Sequence, residues 1–321
     1  AAGSLQMGAM NSTGSLTGGD ISLTNSGNIT TLGADSPGAF IQSIGGGGGR
    51  ANAVRGSLQL GLLGSQGELT ATGGNISITN TAKSITTLGE HAGGLILQSI
   101  GGGGGYSGSI VQTNESGRLG SGSYNGGGES TPTPQLGRGY LLNAGNVSLT
   151  NAATISTGGR YSPALLAQSI AGGGGVTGEI TDGVLTMGMN GPAIANAGTV
   201  QITNTGQLLT QGAFSAALLA QSVGGGGGVN SSQGNDEYFM GSMYGQQSRA
   251  GQLNLTNKGN IQTQGQASVA LLAQSIGGGG GYTASLEFDP QSDSTTNRLY
   301  LSAWYTNDAP AGDINVTNTA N

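Results

Sequence analysis

The sequence predicts an all-β chain, a repetitive parallel β-solenoid with hairpin-like insertions between its coils. Three observations carry this. A cassette of Gln-Ser-Ile or Gln-Ser-Val runs into a glycine tract five times: Gln42–Ile44 before 45–49, Gln98–Ile100 before 101–105, Gln168–Ile170 before 171–175, Gln221–Val223 before 224–228 and Gln274–Ile276 before 277–281. A Thr-Asn landmark, at Asn25, Asn80, Asn151, Asn204, Asn257 and Asn318, precedes each cassette by 17, 18, 17, 17 and 17 residues, while successive landmarks lie 55, 71, 53, 53 and 61 apart. Composition fits a thin core: 67 glycines in 321 residues, with 7% charged and 4% aromatic residues. A stretch of fixed length beside one of free length is stacked on its next copy, because loops accept insertions at little cost. Repetition on this scale marks an array whose units bury their apolar faces against one another.

Each unit opens on a strand in which apolar and small polar residues alternate. Ile21 and Leu23 alternate with Ser22 and Thr24, and Ile76/Ile78, Val147/Leu149, Val200/Ile202, Leu253/Leu255 and Ile314/Val316 repeat the pattern. Period two predicts one buried and one exposed face. A turn and a short second strand follow, as in Ile29-Thr30-Thr31 and Ile261-Gln262-Thr263. The third strand carries the cassette and is apolar on both faces: Ala39-Phe40-Ile41, Leu95-Ile96-Leu97, Leu165-Leu166-Ala167, Leu218-Leu219-Ala220 and Leu271-Leu272-Ala273. Such runs are typical of strands covered on both sides, so the variable segments are expected to pack on its outer surface. Residues 283–288 and 298–304 read as a hairpin folded back on the solenoid. The alternative, that the variable segment makes a second coil, remains open.

On these boundaries residues 1–17 are the tail of a preceding repeat. Five repeats follow at 18–72, 73–143, 144–196, 197–249 and 250–310, and 311–321 begin a sixth. The chain therefore reads as an excerpt of a longer one.

Alternation places Phe40, Gln42 and Ile44 on one face. Identical amides stacked at the strand spacing of about 4.8 Å bond to the copies above and below, which predicts a ladder of Gln42, Gln98, Gln168, Gln221 and Gln274. The opposite orientation, Gln in water and Ser43 in the core, fits the alternation equally. Asn25, Asn80, Asn151, Asn204, Asn257 and Asn318 predict a second ladder at a coil corner, where Asn tolerates left-handed angles. The five tracts hold their length with one exception in composition, Ala171. Ordering glycine is costly in entropy, so constancy points to close backbone approach that only glycine allows.

Units such as Leu-Thr-Asn-Ser-Gly-Asn-Ile-Thr-Thr at 23–31, continuing through Ala-Phe-Ile-Gln-Ser-Ile and five glycines at 39–49, resemble the passenger repeats of bacterial autotransporter and filamentous-haemagglutinin-type exoproteins. The resemblance covers nearly the whole chain. It implies an exported, cell-surface β-helical stalk serving adhesion, aggregation or biofilm structure. The family's export and anchoring parts do not occur in the sequence, and zero cysteines suits passage through an oxidising compartment.

Candidate chemistry is sparse. His91, the single histidine, falls in the turn before the second cassette and reads as an exposed turn residue. No Cys/His cluster has metal-ligand spacing, and no Gly-Lys-Ser/Thr follows a tract to cradle phosphate. Arg50, Tyr106, Val176, Val229 and Tyr282 follow the tracts where calcium-binding repeats need Asp. No catalytic, cofactor-binding or metal residue is assigned, and the expected function is non-enzymatic. A polysaccharide-binding or polysaccharide-cleaving β-helix is the alternative, although nine basic residues scattered over the chain suggest no cluster for it. A net charge of −6 without a basic patch argues against nucleic acid, and no apolar run is long enough to span a bilayer. Aromatic and methionine residues of the variable segments, Tyr238, Phe239, Met240, Met243, Tyr244, Tyr300, Trp304 and Tyr305, are the candidates for contact with a host-cell, cell-surface or polysaccharide partner or with another copy in a fibre. Packing onto their own solenoid is the competing role.

Overall fold

The structure, a computed structural model, describes residues 3–9, 13–52, 54–62, 68–111, 116–119, 140–181, 184–189, 191, 193–230, 238–242, 247–283, 299–300 and 308–319. Among them there is no helix, and the strands form six parallel sheets. The third coil shows the plan. A Thr-Asn strand at Val147–Asn151, a short strand at Thr154–Thr157 and the cassette strand at Leu165–Ile170 come first. After the glycines come a strand at Gly175–Thr177, two short far strands at Ile180–Thr181 and Val184–Met187, and a return strand at Ala193–Asn196. Each of these strands pairs in parallel with a counterpart in a neighbouring coil, so the fold is a parallel β-solenoid.

Registration is residue for residue where the sequence repeats. Gln42, Gln98, Gln168, Gln221 and Gln274 are successive Cα partners, and so are Asn25, Asn80, Asn151, Asn204, Asn257 and Asn318. The eighteenth residue of the second copy is taken up in the turn after Asn80. There the amides of Lys83 and Ser84 both donate to Asn28 Oδ1, at 3.1 and 3.0 Å.

Among the described residues the variable segments run as stacked parallel strands and not as hairpins. In every coil the described strands after the glycines run parallel to their counterparts, as the second-coil alternative requires. Antiparallel pairing among the described residues is confined to isolated bridges between glycines. The physical reason is the edge: a parallel strand stacked on its copies satisfies its amides and carbonyls along the whole sheet, whereas a hairpin leaves unpaired edges in each unit. Most of 283–288 and 298–304 lies outside the described residues, which show Tyr282–Thr283 and Leu299–Tyr300 in parallel sheets.

Four thin cores run along the axis. The first lies inside the Thr-Asn, short and cassette strands and stacks Ile76, Val147, Val200 and Leu253 with Leu95, Leu165 and Leu218. The second lies between the return strands and the glycine tracts and contains Leu69, Tyr140, Leu142, Met189 and Ala195. The third joins the far strands to the strand after the glycines through Leu58, Leu60, Ile110, Met187 and Met240. The fourth covers the outer face of the cassette strands, packing Ile96, Leu166 and Leu219 against Tyr106, Val176 and Val229. This explains the double apolarity of the cassette strand, since Leu165 and Leu166 face different cores and are both fully buried. Each such side chain contributes about 1.5–3 kcal/mol.

Candidate functional site

The cassette glutamines form a continuous hydrogen-bonded column. Nε2 of Gln42 donates to Oε1 of Gln98 at 2.7 Å, and Gln98 to Gln168, Gln168 to Gln221 and Gln221 to Gln274 follow at 2.7, 2.6 and 2.7 Å. Each Nε2 also donates to the last glycine of its own tract, as Gln168 does to Gly175 O at 3.3 Å. The two amide protons are thereby used, and the oxygen accepts from the preceding coil, which is what lets an amide lie fully buried at Gln98, Gln168 and Gln221.

In the second to fourth coils neither Gln nor Ser of the cassette faces water. Ser99, Ser169 and Ser222 are fully buried on the opposite face. There each hydroxyl bridges two coils at the turn before the Thr-Asn strand: Ser169 donates to Gly145 O at 2.9 Å and accepts from Gly198 N at 2.8 Å. The same stitch recurs at Ser43, Ser99, Ser222 and Ser275. The glutamines stack in a ladder as the first orientation requires, and the serine face is buried as well because the cassette strand separates two cores.

The asparagine column has the same logic. Nδ2 of Asn25, Asn80, Asn151, Asn204 and Asn257 donates to Oδ1 of the next copy at 2.7–2.9 Å, ending on Asn318. Its basis is amide pairing and not backbone conformation. None of these residues has positive φ, and the left-handed positions lie elsewhere.

The glycine tracts form the waist between cores. Their last two residues are left-handed, as at Gly174 (φ 134°) and Gly175 (φ 123°). Their third residue passes the backbone at the end of a far strand so closely that a Cβ at Gly226 would lie 2.2 Å from the carbonyl carbon of Gly241. Ala171, the exception, stands at the first position and places its methyl in the second core.

Seven residues before each cassette glutamine, a non-glycine residue adopts φ between 51° and 56°: Asp35, His91, Tyr161, Phe214 and Ala267. Such angles carry a strain of about 1–3 kcal/mol for bulky residues. They stack along the axis, His91 on Tyr161 with ring centroids 5.0 Å apart and Tyr161 on Phe214 at 5.3 Å. The Arg160 guanidinium lies over both Tyr161 and Phe214. His91 is therefore not the exposed turn residue expected from sequence: it is 7% exposed, and its Nε2 lies 3.3 Å from Ser109 Oγ. Burial lowers its pKa from the usual 6.5, against the opposing pull of Asp35, Glu90 and Glu179 and with a smaller push from Arg160. Burial likewise pushes the Tyr106 phenol well above its ordinary value.

Of the proposed contact residues, Met240 is fully buried in the third core and Phe239 is 6% exposed. For these two the competing role is the one observed, because their strand is stacked into the solenoid. Tyr238 and Tyr300 lie in parallel strands and their side chains lie outside the described residues, as do Met243, Tyr244, Trp304 and Tyr305. Among the described residues no three His, Cys, Asp or Glu side chains are placed to hold a metal ion, and no helix is long and apolar enough to cross a membrane. No protein-family model, curated protein or solved structure matches the chain.

Proposed function

We propose that this chain is a length-building segment of a non-enzymatic scaffold on the bacterial cell surface, acting in adhesion, aggregation or biofilm structure. The observation that supports this best is the investment of its polar side chains. The buried Gln, Ser and Asn columns are consumed in joining one coil to the next. Side chains used up this way build axial length, and none is left to converge on a substrate. The outward residues of the Thr-Asn sheet, Thr24, Thr79, Thr150, Thr203, Thr256 and Thr317 in one column and Ser22, Ser77, Ser148, Gln201, Asn254 and Asn315 in the other, are all uncharged. A face of this kind suits lateral contact better than catalysis, which needs paired titratable groups.

Electron microscopy of the surface of cells producing the full protein, labelled through this segment, tests the reading. Label distributed along thin fibres is the expected result. Label confined to compact particles, or cleavage of an acidic polysaccharide by the purified chain, would replace the scaffold with the polysaccharide-active alternative.

A further inference from the structure

The single histidine has one polar side-chain partner among the described residues, Ser109, whose Oγ lies 3.3 Å from His91 Nε2. Three constraints fix the imidazole. The backbone of His91 is left-handed, at φ 53°, and its ring lies on Tyr161 with an interplanar angle of 20°. On its Nε2 edge the next coil has Gly178, where a Cβ would stand 2.6 Å from that nitrogen, so glycine is what lets the ring lie there. Ser109 is half-buried in the link between the strands Gly105–Ser107 and Ile110–Val111. Its backbone N–H donates to no group among the described residues. Burial keeps the imidazole in its neutral form, and the carboxylates of Asp35, Glu90 and Glu179 act in the opposite sense, together favouring a positive charge on it over Arg160 alone. The pairing belongs to the second coil only. The counterparts of His91 are Asp35, Tyr161, Phe214 and Ala267, and the residue that stands beside Ser109 in the third coil is Glu179.

We infer that Ser109 is a nucleophile activated by His91 and that it takes an acyl group from a carboxylic ester. The separation suits a nucleophile and its base before substrate arrives, when such contacts are often loose. In the tautomer protonated at Nδ1, Nε2 accepts the hydroxyl proton as Oγ bonds to the ester carbonyl carbon. The tetrahedral intermediate then collapses, the bond to the alcohol breaks, and Nε2 returns the proton to the departing alkoxide. The uncommitted N–H of Ser109 supplies a donor for the oxyanion, and the surrounding carboxylates favour the imidazolium formed on the way. Orientation of the base comes from ring stacking and the left-handed turn, which do the work a third hydrogen-bonded residue does elsewhere. The inference is independent of the scaffold reading, because the pair draws on none of the Gln, Ser or Asn columns that join the coils.

Phenylmethylsulfonyl fluoride, which loses fluoride to an activated serine and holds the product, tests it by intact mass and peptide mapping of the purified chain. One sulfonyl group on Ser109 is expected, formed roughly 10²- to 10⁴-fold faster than on any other hydroxyl of the chain, the range that a positioned base supplies. Ser109→Ala should abolish the modification. His91→Phe, which keeps a ring at the left-handed position as Phe214 does, should slow it by a like factor while urea unfolding stays cooperative. His91→Asn removes the base in a second form, with a residue type that tolerates left-handed angles. No modification, modification spread over many hydroxyls at similar rates, or an undiminished rate at Ser109 in a folded His91 variant overturns the inference. Because the serine is mapped directly, its failure leaves the fibre result untouched, and compact particles would leave the serine result untouched.

Discussion

Gln168 shows how one side chain is held from four directions: it accepts from Gln98, donates to Gln221 and Gly175, and packs among apolar neighbours. Gln168→Ala strands an amide proton on Gln98 and an oxygen on Gln221 besides leaving a void, so a loss of about 3–5 kcal/mol is expected. Gln274→Ala, at a half-buried position where Gln221 and Gly281 are the bonded partners, should cost about half as much in the same urea titration. His91 makes a different prediction. Its folded pKa lies below the unfolded value, so the unfolded chain binds the extra proton first and stability falls as pH drops from about 6.5 towards the lowered folded value. Phe214 occupies the same left-handed position, so His91→Phe should fold, and the pH dependence of the difference between the two proteins should vanish above 6.5 and grow below it. A difference that is flat across that window would contradict burial as the dominant influence. The histidine's identity was plain in the sequence, but its environment was not. The left-handed row reads Asp, His, Tyr, Phe, Ala, with no glycine or asparagine to announce it, and only counting back seven residues from each cassette brings its members together.

At the scale of elements, the cassette strand and the glycine tract behave as one device: the strand divides two cores, and the tract turns the backbone between two others. Constant tract length follows from the crossing at its third residue, where contact with the far strand leaves no room for a methyl. Gly226→Ala should therefore destabilise by about 3 kcal/mol or more through overpacking of backbone on backbone. Gly27→Ala, whose Cβ would have Asn25 Oδ1 as its nearest neighbour at 3.8 Å, should be neutral or stabilising by up to about 1 kcal/mol. Equal losses in thermal unfolding would mean that the tracts are linkers. The first three strands of every coil were legible because their alternation and spacing recur. The strands that follow were not, since the segments carrying them differ in length and residue type, and a local alternating pattern cannot tell a hairpin partner from a stacked parallel one. That distinction is decided by pairing between residues more than fifty positions apart.

For the molecule as a whole, the absence of one large core is compensated by repetition. The interfaces between coils combine backbone pairing in six sheets with narrow apolar columns and three polar ladders, and stability accumulates interface by interface. The chain has no cysteine, so introduced pairs can be spin-labelled without background. The outward threonines Thr24, Thr79, Thr150, Thr203, Thr256 and Thr317 are partners in one row. Electron–electron distance measurements on double-cysteine forms from this row are the most direct test of axial stacking. The separation should grow linearly by about 4.8 Å per coil, reaching about 14 Å between positions 79 and 256 and about 24 Å between 24 and 317. Distances that fail to increase with the number of intervening coils, or a broad distribution for the outermost pair, would contradict it.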